Sequence, residues 1–249
     1  MNRLTFFTIT FYFLFCSFST QGQTSRRVKF PSKDGVTITA DMYEANPDYP
    51  WVVLFHQAQS SRGEFKYLAP KFNRLEVNCI AVDLRSGKEA NFIPNETYVL
   101  AKDNGLPTEY MDAEKDMIAA IEKAYIVAGR KPVIILGSSY SASLALKLGI
   151  EMSEVKAVIA FSPGEYFGKD LSIIETVSGL RKPSFITCAA NEKKWTKPIA
   201  NSIWSSRKIF YVPSSGGAHG ASALNKETEG QADYWIQVIN FIQTVKKDN

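Results

Sequence analysis

Residues 131–149 read KPVIILGSSYSASLALKLG, and the path of this stretch decides the fold. Residues 133–136 form a short apolar run bounded by Pro132 and Gly137, the pattern of a strand buried on both faces. After Gly137-Ser138-Ser139-Tyr140-Ser141, the residues Ala142, Leu144, Ala145, Leu146 and Leu148 follow at helical density. A strand therefore turns into a helix within five residues. A corner this tight brings two backbones nearly into contact, so its flanks must be small. The pattern small-x-Ser-x-small puts Ser139 at the tip, where its hydroxyl is presented as a nucleophile. Ser141 stands where glycine is usual. Two other readings share the stretch: a tight connection without chemistry, and a phosphate cradle at a helix start. The cradle lacks the Lys-Ser/Thr of a P-loop and the three glycines of a dinucleotide turn.

On either side of this unit the same alternation repeats. Residues 28–30 and 36–43 alternate apolar and polar about Lys33-Asp34-Gly35, which predicts an antiparallel hairpin with an Asp-Gly turn. Buried strands are expected at 50–55, 79–82, 155–161, 183–189 and 209–212, each a nearly continuous apolar run. Helical patterns are expected at 67–75, 109–128, 195–204 and 232–245. In the second of these, Met117, Ile118, Ile121, Ala124, Tyr125 and Ala128 share one stripe, and Gly129 stops it. Residues 88–107 hold Asn, Pro and Gly without a period and read as an inserted loop. A hairpin followed by alternating strands and helices predicts an α/β domain, a mainly parallel sheet with helices on both faces.

With 249 residues, 45% hydrophobic and 22% charged, the chain suits one large domain. Its net charge of +4 is scattered, and no basic run interleaved with aromatics is present, which argues against nucleic acid as a partner. The N-terminus differs from the rest. Arg3 precedes an apolar run over 4–18, too short to span a bilayer and of secretory-signal length. Cleavage is expected near Gly22/Gln23, which predicts a secreted or periplasmic protein, a mature domain from 23 to 249 and no stable membrane insertion afterwards. Cys79 and Cys188 lie in separate strand-like runs and are expected to be free and buried. Two cysteines and two histidines without ligand spacing give no basis for a structural zinc site in this domain.

Sheets of this kind bind ligands beyond the carboxyl ends of their strands, and every polar cluster of this chain falls at such an end. A serine hydroxyl needs a base to ionise near neutrality. Only two histidines are available. His219 lies in Ser214-Ser215-Gly216-Gly217-Ala218-His219-Gly220, after the last strand and on the rim of Ser139. His56 follows the strand at 50–55 and is expected to shape the loop that starts there. That loop and the corner are the natural sources of two N–H donors for a developing oxyanion, here Gln57 and Tyr140. A carboxylate should orient His219 and offset its charge. Glu192 follows the strand at 183–189 and fits; Glu165 and Asp170, one strand earlier, are its rivals.

At this point the sequence resembles the α/β-hydrolase superfamily over roughly residues 28–245. The resemblance rests on Gly137-Ser138-Ser139-Tyr140-Ser141, on His56-Gln57 where such proteins often carry His-Gly, and on Asp83-Leu84-Arg85, similar to their Asp-x-Arg segment. The order Ser139, Glu192, His219 matches the family's nucleophile, acid and base. Only residues 163–181 are available for a lid, so the resemblance is to small esterases and dienelactone hydrolases. It implies a serine hydrolase acting by acyl transfer on small carboxylic esters, with no metal or organic cofactor. A peptidase, an acyltransferase and a non-catalytic binding protein on the same scaffold remain alternatives.

Overall fold

In a computed structural model that describes residues 25–247, eight strands form one sheet in the spatial order β1 (Arg26–Pro31), β2 (Thr37–Tyr43), β4 (Asn78–Val82), β3 (Trp51–Phe55), β7 (Val133–Ser138), β8 (Val155–Phe161), β9 (Ser184–Thr187) and β10 (Lys208–Tyr211). The apolar run at 4–18 and its expected cleavage point lie outside the described residues. The hairpin is present as β1 (Arg26–Pro31) and β2 (Thr37–Tyr43), antiparallel, with Val28 opposite Ala40. Its turn closes through Ser32 and Val36, with Gly35 at φ +87°, a conformation that glycine adopts without penalty.

The strands β3 (Trp51–Phe55), β4 (Asn78–Val82), β7 (Val133–Ser138), β8 (Val155–Phe161), β9 (Ser184–Thr187) and β10 (Lys208–Tyr211) run parallel to one another. Their unbroken apolar character has a geometric cause. Successive side chains point to opposite faces, and here both faces are covered. Val53, Phe55 and Ile135 enter one core; Val52, Leu54, Ile134 and Leu136 enter the other. The first core is closed by α3 (Ala113–Val127), α4 (Tyr140–Glu151), α5 (Ile173–Thr176) and α6 (Lys193–Ser202). The second is closed by α1 (Ala69–Arg74) and α7 (Gln231–Lys246), with Phe72 and Trp235 packed ring against ring at 5.2 Å. Truncating a fully buried strand residue such as Leu136 to Ala should cost about 2–5 kcal/mol. Cys79 and Cys188 are free and buried, as expected. Among the described residues, no helix is long and apolar enough to cross a membrane.

One expectation is corrected. Residues 88–107 are not a plain inserted loop: they hold a two-stranded ribbon, β5 (Glu89–Ala90) with β6 (Ile93–Pro94), and the helix α2 (Glu96–Asp103). The helix starts on Asn95, whose side chain accepts from the Tyr98 N–H at 2.8 Å. It docks through Thr97 Oγ1, which accepts from the Thr39 N–H at 2.9 Å. The contacts that seat it are polar and buried, so no apolar period announces it.

Two buried arginines brace the sheet, and one of them, Arg62, secures this region to it. Arg62 Nη1 donates to Asp83 Oδ2 at 2.5 Å and its Nη2 to Glu96 Oε1 at 3.0 Å. Arg85 Nη2 donates to Asp116 Oδ1 at 2.7 Å and to Asp34 Oδ1 at 2.9 Å, tying β4 to α3 and to the hairpin turn. The Asp83-Leu84-Arg85 segment that follows β4 is thus a buried ionic clamp.

Candidate active site

The corner after β7 has the geometry that its small residues require. Any Cβ at Gly137 would collide with Ser141 O and the Ala142 backbone. Ser139 sits at φ 64°, ψ −125°, a strained conformation for a residue with a side chain. Ser141 has a use that glycine could not serve: its Oγ donates toward Phe55 O at 2.9 Å and accepts from the Ser138 N–H at 2.9 Å. The hydroxyl thereby ties β3 to β7 beneath the turn.

Ser139, His219 and Glu192 come together at this rim. His219 Nε2 lies 2.8 Å from Ser139 Oγ. On its other side, His219 Nδ1 is hydrogen-bonded to Glu192 Oε1. Glu192 ends a short 3₁₀ turn after β9, and its Oε2 accepts from Ser162 Oγ at 2.6 Å and from the Ala189 N–H at 3.0 Å. Burial works against the Glu192 charge, but the bonds from His219, Ser162 and Ala189 hold its carboxyl below the ordinary range. The same hydrogen bond raises the His219 pKa above 6.5 against the opposing effect of burial, helped by the charges of Glu192 and Glu64.

The rival carboxylates are elsewhere. Glu165 accepts from the Ile173 and Ile174 N–H groups at 2.8 and 2.7 Å and so caps α5. Asp170 is exposed.

His56 is wholly buried. Its Nδ1 donates to Gln57 O at 2.7 Å, and its Nε2 accepts from the Leu84 N–H at 2.9 Å. Burial lowers its pKa to about 4, so it is a neutral pin between the β3 loop and the end of β4. The Gln57 amide is occupied: its N–H donates to Oε2 of the buried Glu64 at 2.8 Å. The next amide, Ala58 N–H, has no partner among the hydrogen bonds of the described residues. Tyr140 opens α4, where first-turn N–H groups have no intrahelical acceptor. Its ring is buried, hydrogen-bonded to Ser86 and stacked on Tyr110 at 4.5 Å.

Three contributors escape a reading by motif. Ser162, directly after β8 at φ 52°, donates to Glu192 and accepts from the Gly220 N–H at 2.9 Å. Glu64 holds Gln57 and Ser138. Tyr166 donates from its hydroxyl to Ser162 O at 2.9 Å and lies within reach of Ser139. The available signal was position alone: Ser162 ends a buried strand on the same rim, as Ser139 does. Beside Ser162 and Glu192 opens a cavity of about 420 Å³, walled by Pro163, Tyr166, Ile174, Trp195 and Pro198. No cluster of three His, Cys, Asp or Glu among the described residues is placed to hold a metal ion.

No family model matches the sequence, and a search of curated proteins finds no significant match. Solved structures do match. An esterase of Pyrococcus furiosus superposes with a TM-score of 0.68 at 16% identity, over 89% of this chain and 92% of that one. A dienelactone hydrolase of Anabaena variabilis gives 0.69 at 14% identity, over 89% and 97%. The 2,6-dihydroxy-pseudo-oxynicotine hydrolase gives 0.67 at 13% identity, over 88% and 68%. The chain has the α/β-hydrolase fold. Its mainly parallel sheet with helices on both faces and its antiparallel N-terminal pair agree with the architecture expected from the sequence. At these identities the likeness is one of fold, and the chemistry has to be argued from the side chains.

Proposed function

We propose that the protein is a serine hydrolase that cleaves small carboxylic esters by acyl transfer. The observation that carries this reading is the continuous hydrogen-bonded chain from Ser139 Oγ through His219 to Glu192, at the carboxyl ends of the parallel strands. Ser139 Oγ attacks the ester carbonyl carbon while its proton passes to His219 Nε2. Glu192 keeps Nδ1 protonated, which leaves Nε2 as the acceptor, and stabilises the imidazolium that forms. The tetrahedral oxyanion is received by the Tyr140 N–H and by the Ala58 N–H, which replaces the occupied Gln57 amide in that role. Collapse of the intermediate breaks the ester C–O bond, and His219 returns its proton to the departing alcohol. A water then attacks the Ser139 ester by the same route, releasing the acid.

The mostly apolar cavity beside Ser162 supports an ester with an apolar acyl or alcohol part rather than a fully polar substrate. Strained backbone at Ser139 and a positioned base are costs that a purely binding scaffold would have no reason to keep. The run at 4–18 supports export, and the N-terminus of protein from its native host should lie near Gln23. Purified protein should hydrolyse members of a panel of ester, amide and thioester substrates, and Ser139→Ala should abolish turnover while preserving the fold. Equal turnover by wild type and Ser139→Ala would refute the proposal.

A further inference from the structure

Four carboxylates are buried among the described residues: Asp41, Glu64, Asp83 and Asp116. Three of them face arginines, Asp41 and Asp83 on Arg62 and Asp116 on Arg85. Glu64 takes part in no ion pair of the described residues, although it sits two residues from Arg62. A buried carboxylate without a cation is expensive, so its surroundings should explain why it is kept.

Those surroundings are the loops of the candidate site. Glu64 Oε2 accepts from the Gln57 N–H at 2.8 Å, and Oε1 accepts from Ser138 Oγ at 2.7 Å. Ser138 Oγ in turn accepts from the Ala221 N–H at 2.8 Å, two residues beyond His219. The arrangement mirrors the other side of the histidine, where the Gly220 N–H donates to Ser162 Oγ and Ser162 donates to Glu192. Two consecutive amides after His219 thus dock on two serine hydroxyls, each backed by a carboxylate. Gly220 is required by this approach: a Cβ there would strike Ser138 Oγ.

The Gln57 N–H can only donate, and Ser138 Oγ lies within hydrogen-bond reach of the other carboxylate oxygen, so both oxygens of Glu64 have partners that favour its ionised form against the burial that opposes it.

We infer that Glu64 is a second carboxylate of the catalytic apparatus: a positioning residue that fixes the His219 loop through Ser138 and the β3 loop through Gln57, and whose buried negative charge finds its cation in the imidazolium formed on His219. This inference rests on the serine-hydrolase reading. The role is distinct from that of Glu192, which touches His219 directly. Charged and titratable groups set around His219 are Glu192 and Glu64, with the Tyr166 phenol near Ser139. Around Glu64 lie the hydrogen-bonding groups of Gln57, Ser60 and Ser138, with His219 and the Tyr140 phenol within its field. Burial raises the Glu64 pKa, opposed by its hydrogen bonds from Gln57, Ser138 and Ser60.

The test uses the Cε1–H NMR titration of His219 together with ester kinetics, in wild type, Glu64→Gln and Ser138→Ala. The protein has two histidines, and His56 is buried with a pKa near 4, so the two signals separate. Glu64→Gln should lower the His219 midpoint by about half a pH unit or more, because an anion that favours imidazolium has been removed. It should lower kcat tenfold or more while KM stays within about threefold. Ser138→Ala, which cuts only the relay to Ala221, should lower kcat tenfold or more and carries the test if Glu64→Gln does not fold. An unchanged His219 midpoint in folded Glu64→Gln, or wild-type kcat in folded Ser138→Ala, overturns the inference. A lowered melting temperature with kcat and midpoint both unchanged also overturns it, since that is the signature of a merely structural residue. If the wild type cleaves no ester, the hydrolase reading falls, whereas the His219 midpoint still reports whether the Glu64 charge acts on the imidazole.

Discussion

Replacing Glu192 by Gln conserves volume and removes one charge, and the structure says how the loss should be felt. The two carboxylate oxygens accept three donors: His219 Nδ1–H, Ser162 Oγ–H and the Ala189 N–H. A carboxamide has one oxygen. If that oxygen stays with Ser162 and Ala189, the –NH2 faces His219 and forces Nδ1 to become an acceptor. The proton then moves to Nε2, which can no longer accept the proton of Ser139. If the amide flips, its –NH2 meets two donors, and both bonds are lost. The first outcome is the wrong-tautomer state, for which losses in kcat reach about 10⁴ in other triads. Glu192→Gln should therefore lose about 10²–10⁴ in kcat, equivalent to about 2.7–5.5 kcal/mol of barrier, with KM little changed.

A pH effect of defined sign accompanies this loss. Glu192 raises the His219 pKa, and protonated His219 cannot act as base, so the wild-type acid limb of kcat/KM should lie above the ordinary histidine range. Removing the carboxylate lowers that pKa, and the limb must move to lower pH. Initial rates on a 4-nitrophenyl ester across pH 4–9, with a melting curve for each variant, measure both effects. A folded Glu192→Gln protein with kcat within threefold of wild type would refute the assignment of the acid. So would an acid limb that stays in place.

Fluorophosphonate should label Ser139 and not Ser138, as read by peptide mass spectrometry, because Ser138 Oγ is fully buried and bonded to Glu64 and Ala221. An adduct on Ser138 would displace Ser139 as nucleophile. Arg85→Met should strand Asp116 without its cation and cost about 3–5 kcal/mol in urea unfolding; a loss under 1 kcal/mol would show that the clamp contributes little. Asn95→Ala should cost about 1 kcal/mol and accelerate amide exchange at the start of α2. Unaltered exchange at Tyr98 would contradict its capping role.

Sheet, strand sequence and the three side chains that meet at the rim, Ser139, His219 and Glu192, were legible because each left a one-dimensional mark. The apolar run at 155–161 matches the observed strand residue for residue, and the one at 50–55 matches Trp51–Phe55 to within one residue. The serine corner could be read from the small side chains around Ser139. Glu192 and His219 could be placed because each follows a strand at the same end of the sheet. What escaped the sequence is held by contacts that have no period. The helix α2 rests on Asn95 and Thr97, and Glu64 lies in a 3₁₀ turn whose partners are 7 and 74 residues away. The engagement of the Gln57 N–H by Glu64 was hidden for the same reason: no local pattern records that pairing.

The walls of the cavity beside Ser162 come from the connections that follow β8 and β9, at Pro163, Tyr166, Ile174, Trp195 and Pro198. On the proposed serine-hydrolase reading, the oxyanion donors and the nucleophile come from the connections after β3 and β7, braced by Glu64 and Ser141. On that reading, selectivity and reactivity are written in different stretches of the chain, and they meet at Ser162, Tyr166 and Glu192. Ile174 and Trp195 could be varied in a library, or their segments exchanged for those of another scaffold member, without rewiring the proton relay. For a domain of this size, that separation makes the surface between α5 and α6 the natural place to retarget the substrate while leaving the chemistry alone.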